Sequence, residues 1–278
     1  MITGSTSGIG KETALALADL DYEVIIHGRD RKRGEKVVKE LKSITGNDRI
    51  ELVIADFSSL DQVRDLSYYI KDKYDSLDVL INNAGMANHK LFSDKYFSRE
   101  ALVNNDIEIT FMVNYLATFL LTDSLIPIMK HGYQSRIINV SSAVHFGSSL
   151  DLDIVKNSST LTGFRAYKES KLALILYTYK LAKVLQKHQI TVNCLHPGVI
   201  RTRLMRENKI FDLIWKYAPF LRSPKKGAET SIFLSTDEGV KRVTGKYFVD
   251  KKDVRSSKES YDLNLMEKLW DLSYELIK

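Results

Sequence analysis

Tyr167 and Lys171 form the most chemically suggestive pair in the chain. They stand in Tyr167-Lys168-Glu169-Ser170-Lys171, at the start of an apolar-rich helical run that ends near His188. Residues four apart share one face of a helix, so the phenol and the ammonium can point into one site. A phenol titrates ordinarily near pH 10, and a fixed cation beside it favours the phenolate and lowers that value. A tyrosine tuned in this way can exchange a proton with a carbonyl or alcohol oxygen. Taken alone the spacing is weak, because a Tyr and a Lys four apart also occur as ordinary helix residues. Such a proton donor needs a second group to hold the oxygen, a redox partner, and elements that bring all three together. Ser141 and Ser142 follow the strand-like stretch Arg136-Ile137-Ile138-Asn139-Val140. Their hydroxyls would emerge at the carboxyl end of a strand, where ligands bind in open α/β sheets.

The amino-terminal third carries features suited to a dinucleotide. Thr3-Gly4-Ser5-Thr6-Ser7-Gly8-Ile9-Gly10 feeds a helical run, Lys11 to Ala18. A glycine-rich turn at a helix N-terminus presents backbone N–H groups and a positive dipole end, which suits a diphosphate. The glycines are spaced G-x-x-x-G-x-G, whereas the common fingerprint is G-x-G-x-x-G, and glycines also make plain turns. Next, Glu23-Val24-Ile25-Ile26-His27 reads as a strand closed by Gly28-Arg29-Asp30. In a dinucleotide-binding βαβ unit the adenosine ribose arrives here, and an acidic residue selects NAD. Arg29 instead offers a planar donor fork for a 2′-phosphate and points to NADP, or else is a loop residue ahead of a helix capped by Asp30. After the strand Ile50 to Ala55, Asp56 could accept from an adenine amino group with Phe57 beside the ring. The strand Val79 to Asn82 continues into Asn83-Ala84-Gly85, small residues past which a cofactor can approach the backbone.

The elements between these points alternate. Helical stretches at Arg31 to Ile44 and Leu60 to Tyr74 separate the strands, the signature of a parallel sheet wrapped on both faces. A long apolar helix from Asp106 to Met129 contains Asn114, a polar residue facing a core that needs a local partner or a water. The strand Thr191 to Leu195 ends in His196-Pro197-Gly198-Val199-Ile200-Arg201-Thr202, where Pro197 fixes one turn angle and Gly198 removes a side chain at the same sheet edge. Neither a repeat nor a low-complexity linker interrupts the chain, so residues 1–278 read as one domain.

Composition narrows the function classes. Of 278 residues, 44% are hydrophobic and 27% charged, as in a soluble globular protein. The net charge of +6 is spread along the chain. Arg31-Lys32-Arg33 and Lys225-Lys226 are the short basic clusters, and neither sits among stacking aromatics, which argues against nucleic-acid binding. A lone Cys194 excludes an intrachain disulfide and suits a reducing compartment. No apolar run reaches the roughly 18 residues of a spanning helix, and no metal site is expected. A soluble, cytoplasmic protein is expected.

Thr3 to Gly10, Asp56, Asn82-Asn83-Ala84-Gly85, Asn114, Ser142, Tyr167-x-x-x-Lys171 and Pro197-Gly198 occur in the order seen in short-chain dehydrogenases/reductases. The chain resembles that superfamily over nearly its whole length. It is similar in particular to the retinol dehydrogenase branch, through Arg136 to His145, the 25-residue gap from Ser142 to Tyr167, His196 to Thr202, Ser223-Pro224 to Phe248, and Lys268-Leu269-Trp270. The resemblance implies a single Rossmann-like, doubly wound parallel sheet and hydride transfer between a nicotinamide and a carbonyl or alcohol. Tyr167 would protonate the carbonyl oxygen and Ser142 would hold it. Lys171 would bind the nicotinamide ribose and lower the tyrosine pKa, and Asn114 would support a water leading from the lysine to solvent. Cofactor contacts would come from Gly4, Thr6, Ser7, Gly8, Ile9 and Gly10 in the first turn, from Arg29, Asp56 and Phe57, from Asn83, Ala84 and Gly85, and from Pro197, Gly198 and Thr202.

Departures from the family pattern set further expectations. Only Met1 and Ile2 precede the Thr-Gly turn, about 7 Å of strand at roughly 3.3 Å per residue, too little to pair across the centre of a sheet. Either the native reading frame starts upstream or the fold is weakened. The N-terminal anchor of membrane-bound relatives is missing, so no integral membrane anchor is expected. Residues 199–223, with Ile210, Phe211, Leu213, Ile214, Trp215 and Tyr217, read as a lid over an apolar substrate or as a packed surface helix. The long helices beginning at Asp106 and Tyr167 offer pairing faces for a homo-oligomer. The leading function is an NADP-dependent oxidoreductase acting on a small carbonyl or alcohol; the alternative is a cofactor-binding regulator or scaffold without turnover.

Overall fold

The computed structural model describes residues 1–87, 102–103, 107–132, 134–157, 163–200 and 222–278. Strand and helix alternate as α1 (Gly8–Asp19), β1 (Val24–Gly28), α2 (Arg31–Thr45), β2 (Ile50–Ile54), α3 (Leu60–Lys73) and β3 (Val79–Asn82). A short antiparallel pair, β4 (Leu102–Val103) and β5 (Ile107–Glu108), precedes α4 (Ile109–Phe111), a π-helical turn at Met112–Leu116, and α5 (Ala117–Met129). Then come β6 (Ser135–Val140), α6 (Leu152–Asn157), α7 (Gly163–Val184) and β7 (Ile190–His196). The chain closes with α8 (Pro224–Thr236), β8 (Tyr247–Val249), β9 (Lys252–Val254) and α9 (Leu263–Leu276). Local chemistry sets several boundaries. Asp30 caps α2 by accepting from the Arg33 N–H at 3.0 Å, and Gly46, at φ 70°, ends that helix in the left-handed conformation.

The sheet runs β2-β1, then Met1–Thr3, then β3-β6-β7-β8-β9, all parallel except β9. The expectation that two residues are too few to pair across its centre is not met. Ile2 bridges Ile26 on one side and Ile81 on the other. The slot as a whole bonds to both neighbours: Ile2 N–H donates to the Ile25 carbonyl on one side, while on the other Ile81 N–H donates to the Met1 carbonyl and Thr3 N–H to the Ile81 carbonyl, each at 2.9 Å. Below Met1, a cleft of about 100 Å³ opens at the amino ends of the strands, lined by Tyr22, Glu23, Tyr74, Ser76 and Asp78 among others.

Alternation along the strands divides the core between the two faces. Val24, Ile26, Ile81 and Ile138 pack with Ala14 and Leu17 of α1, Val37 and Leu41 of α2 and Leu234 of α8. Ile25, Leu80 and Ile137 pack with α3, α5, α7 and α9 on the other face. The doubly wound arrangement is the one expected. One reading needs correction. Ile109–Met129, 21 residues with mean hydropathy 1.5, is long and apolar enough to cross a membrane, but 72% of its apolar window is buried within the protein, where it serves as a core helix. α9 packs against α5 and α7, the helices offered for pairing. Trp270 stacks on Tyr177 and meets Phe119 edge-on, with ring centroids 6.0 and 5.6 Å apart. Tyr115 and Ser273 share a 2.7 Å hydrogen bond, and Tyr274 donates to Asp123 at 2.7 Å.

Candidate active site

Parallel strands bring their carboxyl ends to one edge, so Gly28, Ala55-Asp56, Asn83 to Gly85, Ser141-Ser142 and Pro197-Gly198 converge although they are far apart in sequence. α7 crosses the same edge and supplies Tyr167 and Lys171. The Tyr167 hydroxyl lies near enough to Ser142 for the serine to lower its pKa. Lys171 is buried, donates through Nζ to the Val140 carbonyl at 3.0 Å, and lies 5.8 Å from the centre of the Tyr167 ring. The two serines divide their work. Ser141 Oγ donates to the Lys171 carbonyl at 2.9 Å and fastens the strand to α7, whereas Ser142 Oγ faces the phenol.

The electrostatics reverse one expectation. Burial pushes the Tyr167 hydroxyl above the ordinary phenol range, and the neighbouring Ser142 hydroxyl offsets this only in part. Lys171 is not among the causes of that shift; burial lowers the lysine's own pKa to about 8, and its ammonium donates to the Val140 carbonyl. The arrangement therefore holds a protonated phenol beside a hydroxyl that can donate to the same oxygen.

Asn114 sits in the π turn, an irregularity often found at functional sites. Its Oδ1 accepts from Met86 N–H at 2.7 Å, and its Nδ2 donates to the Met86 carbonyl at 2.9 Å and to Ser170 Oγ at 3.0 Å. It thus ties the segment after β3 to α7. Gly85 lies over it: a Cβ there would come 3.3 Å from Asn114 Oδ1 and 3.4 Å from Lys171 Nζ.

The glycine turn fits a diphosphate. Gly4, at φ 62°, lies so close to Ala84 that a Cβ would fall 2.8 Å from its Cα. A Cβ on Gly10 would strike Asn83 Nδ2 at 2.5 Å and the Gly4 carbonyl at 2.6 Å. Ser7 is exposed at the N-cap of α1, and its hydroxyl bonds none of the N–H groups of that helix. Gly8 and Ile9 begin the helix, and Thr6 lies against Gly28. These features leave the N–H groups at the head of α1 free to bind an anion. Arg29 is exposed and forms no ion pair among the described residues, while Asp30 is committed to its capping bond. Asp56 Oδ1 accepts from the Ser58 N–H at 2.9 Å and from its hydroxyl at 2.8 Å.

Some proposed contacts have other partners. The Phe57 ring is buried and stacks on His27 at 4.4 Å, so it is turned into the core instead of standing beside an adenine. Asn83 Nδ2 donates to the Thr3 and Gly4 carbonyls at 2.9 and 3.1 Å, which makes it a brace for the turn. Thr202 and positions 201–221 of the lid lie outside the described residues. The segment's flanks meet where Ile200 bridges Arg222, Arg222 pairs with Asp250, and Gly198 adopts φ 90° against the arginine side chain. His27 was not picked out by sequence reasoning. Its Nδ1 accepts from Gly4 N–H at 3.1 Å and its Nε2 donates to the Ala55 carbonyl at 3.0 Å, so a neutral imidazole holds the glycine turn. Burial lowers its pKa to about 4. A histidine at the end of an apolar strand gives no sequence signal for such a role.

The family model for short chain dehydrogenases matches residues 1–211. Human polyprenol dehydrogenase is 32% identical, over 99% of this chain and 84% of its own. Human retinol dehydrogenase 12 is 34% identical, over 100% of this chain and 85% of its own. The chain belongs to the short-chain dehydrogenase family. Within this family it resembles the retinol dehydrogenase branch, and it is an oxidoreductase with a nicotinamide-binding fold. Among solved structures, one from Mycobacterium paratuberculosis superposes with a TM-score of 0.76 at 24% identity, covering 99% of this chain and 91% of that one. A short-chain dehydrogenase from Burkholderia cenocepacia J2315 in complex with NADP gives 0.68 at 25% identity, covering 89% and 93%.

Proposed function

We propose that this short-chain dehydrogenase transfers hydride between NADP and an apolar carbonyl or alcohol. The carrying observation is the meeting of Tyr167, Ser142 and buried Lys171 at the carboxyl edge of the sheet, with the Lys171 Nζ 5.8 Å from the centre of the Tyr167 ring. In the direction of reduction, Tyr167 gives its proton to the carbonyl oxygen while Ser142 donates a hydrogen bond to that oxygen. Lys171, when cationic, favours the phenolate left behind, and Ser141 and Val140 hold the lysine in place. The nicotinamide, when bound, supplies or accepts the hydride. The head of α1 would hold its diphosphate, and Gly85 leaves room above Lys171 for its ribose.

Exposed Arg29 at the end of β1 supports the choice of NADP, since a guanidinium matches a 2′-phosphate. Hydrogen bonds to charged groups contribute about 1.5–3 kcal/mol, roughly 10- to 150-fold in affinity before solvent screening reduces it. The test is nicotinamide absorbance with a series of aldehydes. Tyr167→Phe should keep cofactor binding and lose about 10²- to 10⁴-fold in turnover. Arg29→Leu should remove most of a preference for NADPH with little loss of NADH use. Near-native turnover in the first variant, or equal affinities for both cofactors in the wild type, rejects the corresponding part.

An apolar substrate is supported by relatives whose names specify polyprenol and retinol. We place its recognition in residues 199–223. Alanine substitution from Ile210 to Tyr217 should raise KM for long aldehydes more than for short ones; equal effects reject this role.

A further inference from the structure

The peptide group that joins Ser142 to Ala143 is gripped from both sides by imidazoles. Its carbonyl lies 2.7 Å from His145 Nδ1, and its N–H donates to His196 Nδ1 at 3.2 Å. A carbonyl oxygen only accepts, so His145 must carry its proton on Nδ1. The other nitrogen agrees: His145 Nε2 accepts from Ser257 N–H at 3.1 Å. His196 is the opposite tautomer, because Nδ1 accepts and the proton must sit on Nε2. Both rings are therefore neutral. Burial lowers the pKa of each, His196 to about 4, with Arg222 lowering and Asp250 raising the latter and Glu259 raising His145.

We propose that His145 and His196 are positioning residues that lock the Ser142–Ala143 peptide and so keep the Ser142 hydroxyl aimed at Tyr167. The inference rests on the proposed role of Ser142. The clamp also reaches α7 by a second route. His145 is completely buried, and Ser257 follows Ser256, whose Oγ is 2.6 Å from the Tyr179 hydroxyl, three turns beyond Tyr167. β7, the tail before α9 and the helix that carries the proton donor are thereby all fastened to one peptide. A rotation of that peptide would turn the serine without disturbing the glycine turn or Arg29, so the clamp should affect chemistry and not cofactor binding.

The experiment measures kcat and KM for a medium-chain aldehyde, NADPH affinity by fluorescence and thermal melting, in the full chain. His196→Leu and His145→Phe fill the space but cannot make the bonds to this peptide. Each should lower kcat by roughly 10- to 100-fold, the scale expected of a small misplacement at a reacting centre, with NADPH affinity unchanged. His196→Asn, whose amide oxygen can accept from Ala143, and His145→Asn, whose amide can donate to Ser142, should recover most of the loss. Wild-type kcat in the apolar variants, a parallel fall in NADPH affinity, or no recovery in the asparagine variants overturns the clamp. Should the apolar variants fail to fold, ¹⁵N chemical shifts of the wild-type imidazoles decide it: opposite tautomers support the clamp, and matching tautomers or a charged ring overturn it. Ser142→Ala in the same assay separates the two claims. Full turnover there rejects the reading of the active site itself, whereas its loss beside intact histidine variants rejects only the clamp.

Discussion

Lys171 is a cation placed where a folded protein would rather have none. Its pKa falls from 10.5 to about 8 on burial, so folding opposes its protonation. That cost is present in full below about pH 8 and eases as the pH rises toward 10.5, where the unfolded chain loses the same proton. Replacing it by a side chain of similar length should expose the trade. Lys171→Met should abolish turnover yet melt higher than wild type at pH 7, by an amount on the order of 2–3 kcal/mol that shrinks toward pH 10. A lower melting temperature at neutral pH would show that the Val140 bond outweighs desolvation. The residue types of this site were legible in the sequence, because a phenol, an amine and a hydroxyl at strand and helix ends have few other joint uses. The direction of the Tyr167 shift was not, since spacing reveals a nearby charge but cannot weigh it against burial. The bracing roles of His27 and Asn83 escaped for a similar reason: each depends on which backbone group lies opposite, across more than twenty residues of intervening chain.

Among the elements, the order and period of strands and helices were readable, and so were caps such as Asp30. What pattern could not convey is that both flanks of Met1 and Ile2 are occupied, by β1 and β3. Met1 and Ile2 are buried, and the Met1 ammonium donates to the Val79 carbonyl at 2.8 Å. Burial lowers its pKa to about 5, against the raising influence of Asp78 and Glu23. The folded pKa lies below the unfolded value of 8.0, so the unfolded chain binds the extra proton between these limits and stability rises with pH from about 5 to 8. With a free amine at Met1, the melting temperature should climb across that window. Acetylating the amine, or extending the strand with apolar residues, should flatten this part of the profile; a profile unaltered by either would assign the dependence to another group. The interruption of the Ile109–Met129 helix by a π turn was equally invisible, for Asn114 reads as one polar residue in an apolar helix until its Met86 and Ser170 partners are seen.

For the molecule as a whole, α9 decides which apolar surfaces are available. Trp270, Tyr274 and Leu269 complete the layer built by α5 and α7, and Glu267 pairs with Lys180 at its margin. We therefore expect the chain to run as a monomer in light scattering, and a chain ending at Tyr261 to self-associate through the uncovered Phe119 and Tyr177. A dimer that persists with α9 in place would move the contact to another surface. Sequence reasoning found the two long helices but could not tell that a segment some ninety residues beyond Tyr177 would occupy them, because that contact is set by the return path of the chain. The same geometry bears on biosynthesis. Domains generally begin to fold from the N-terminus as they emerge from the ribosome, yet here the aromatic layer stays open until residues near 276 have cleared the exit tunnel. Nascent chains would thus pass through a stage with a nearly complete sheet and one unsealed greasy face, the kind of intermediate that holdase chaperones recognise, and Trp270 fluorescence in stalled chains of increasing length would mark the moment at which that stage ends.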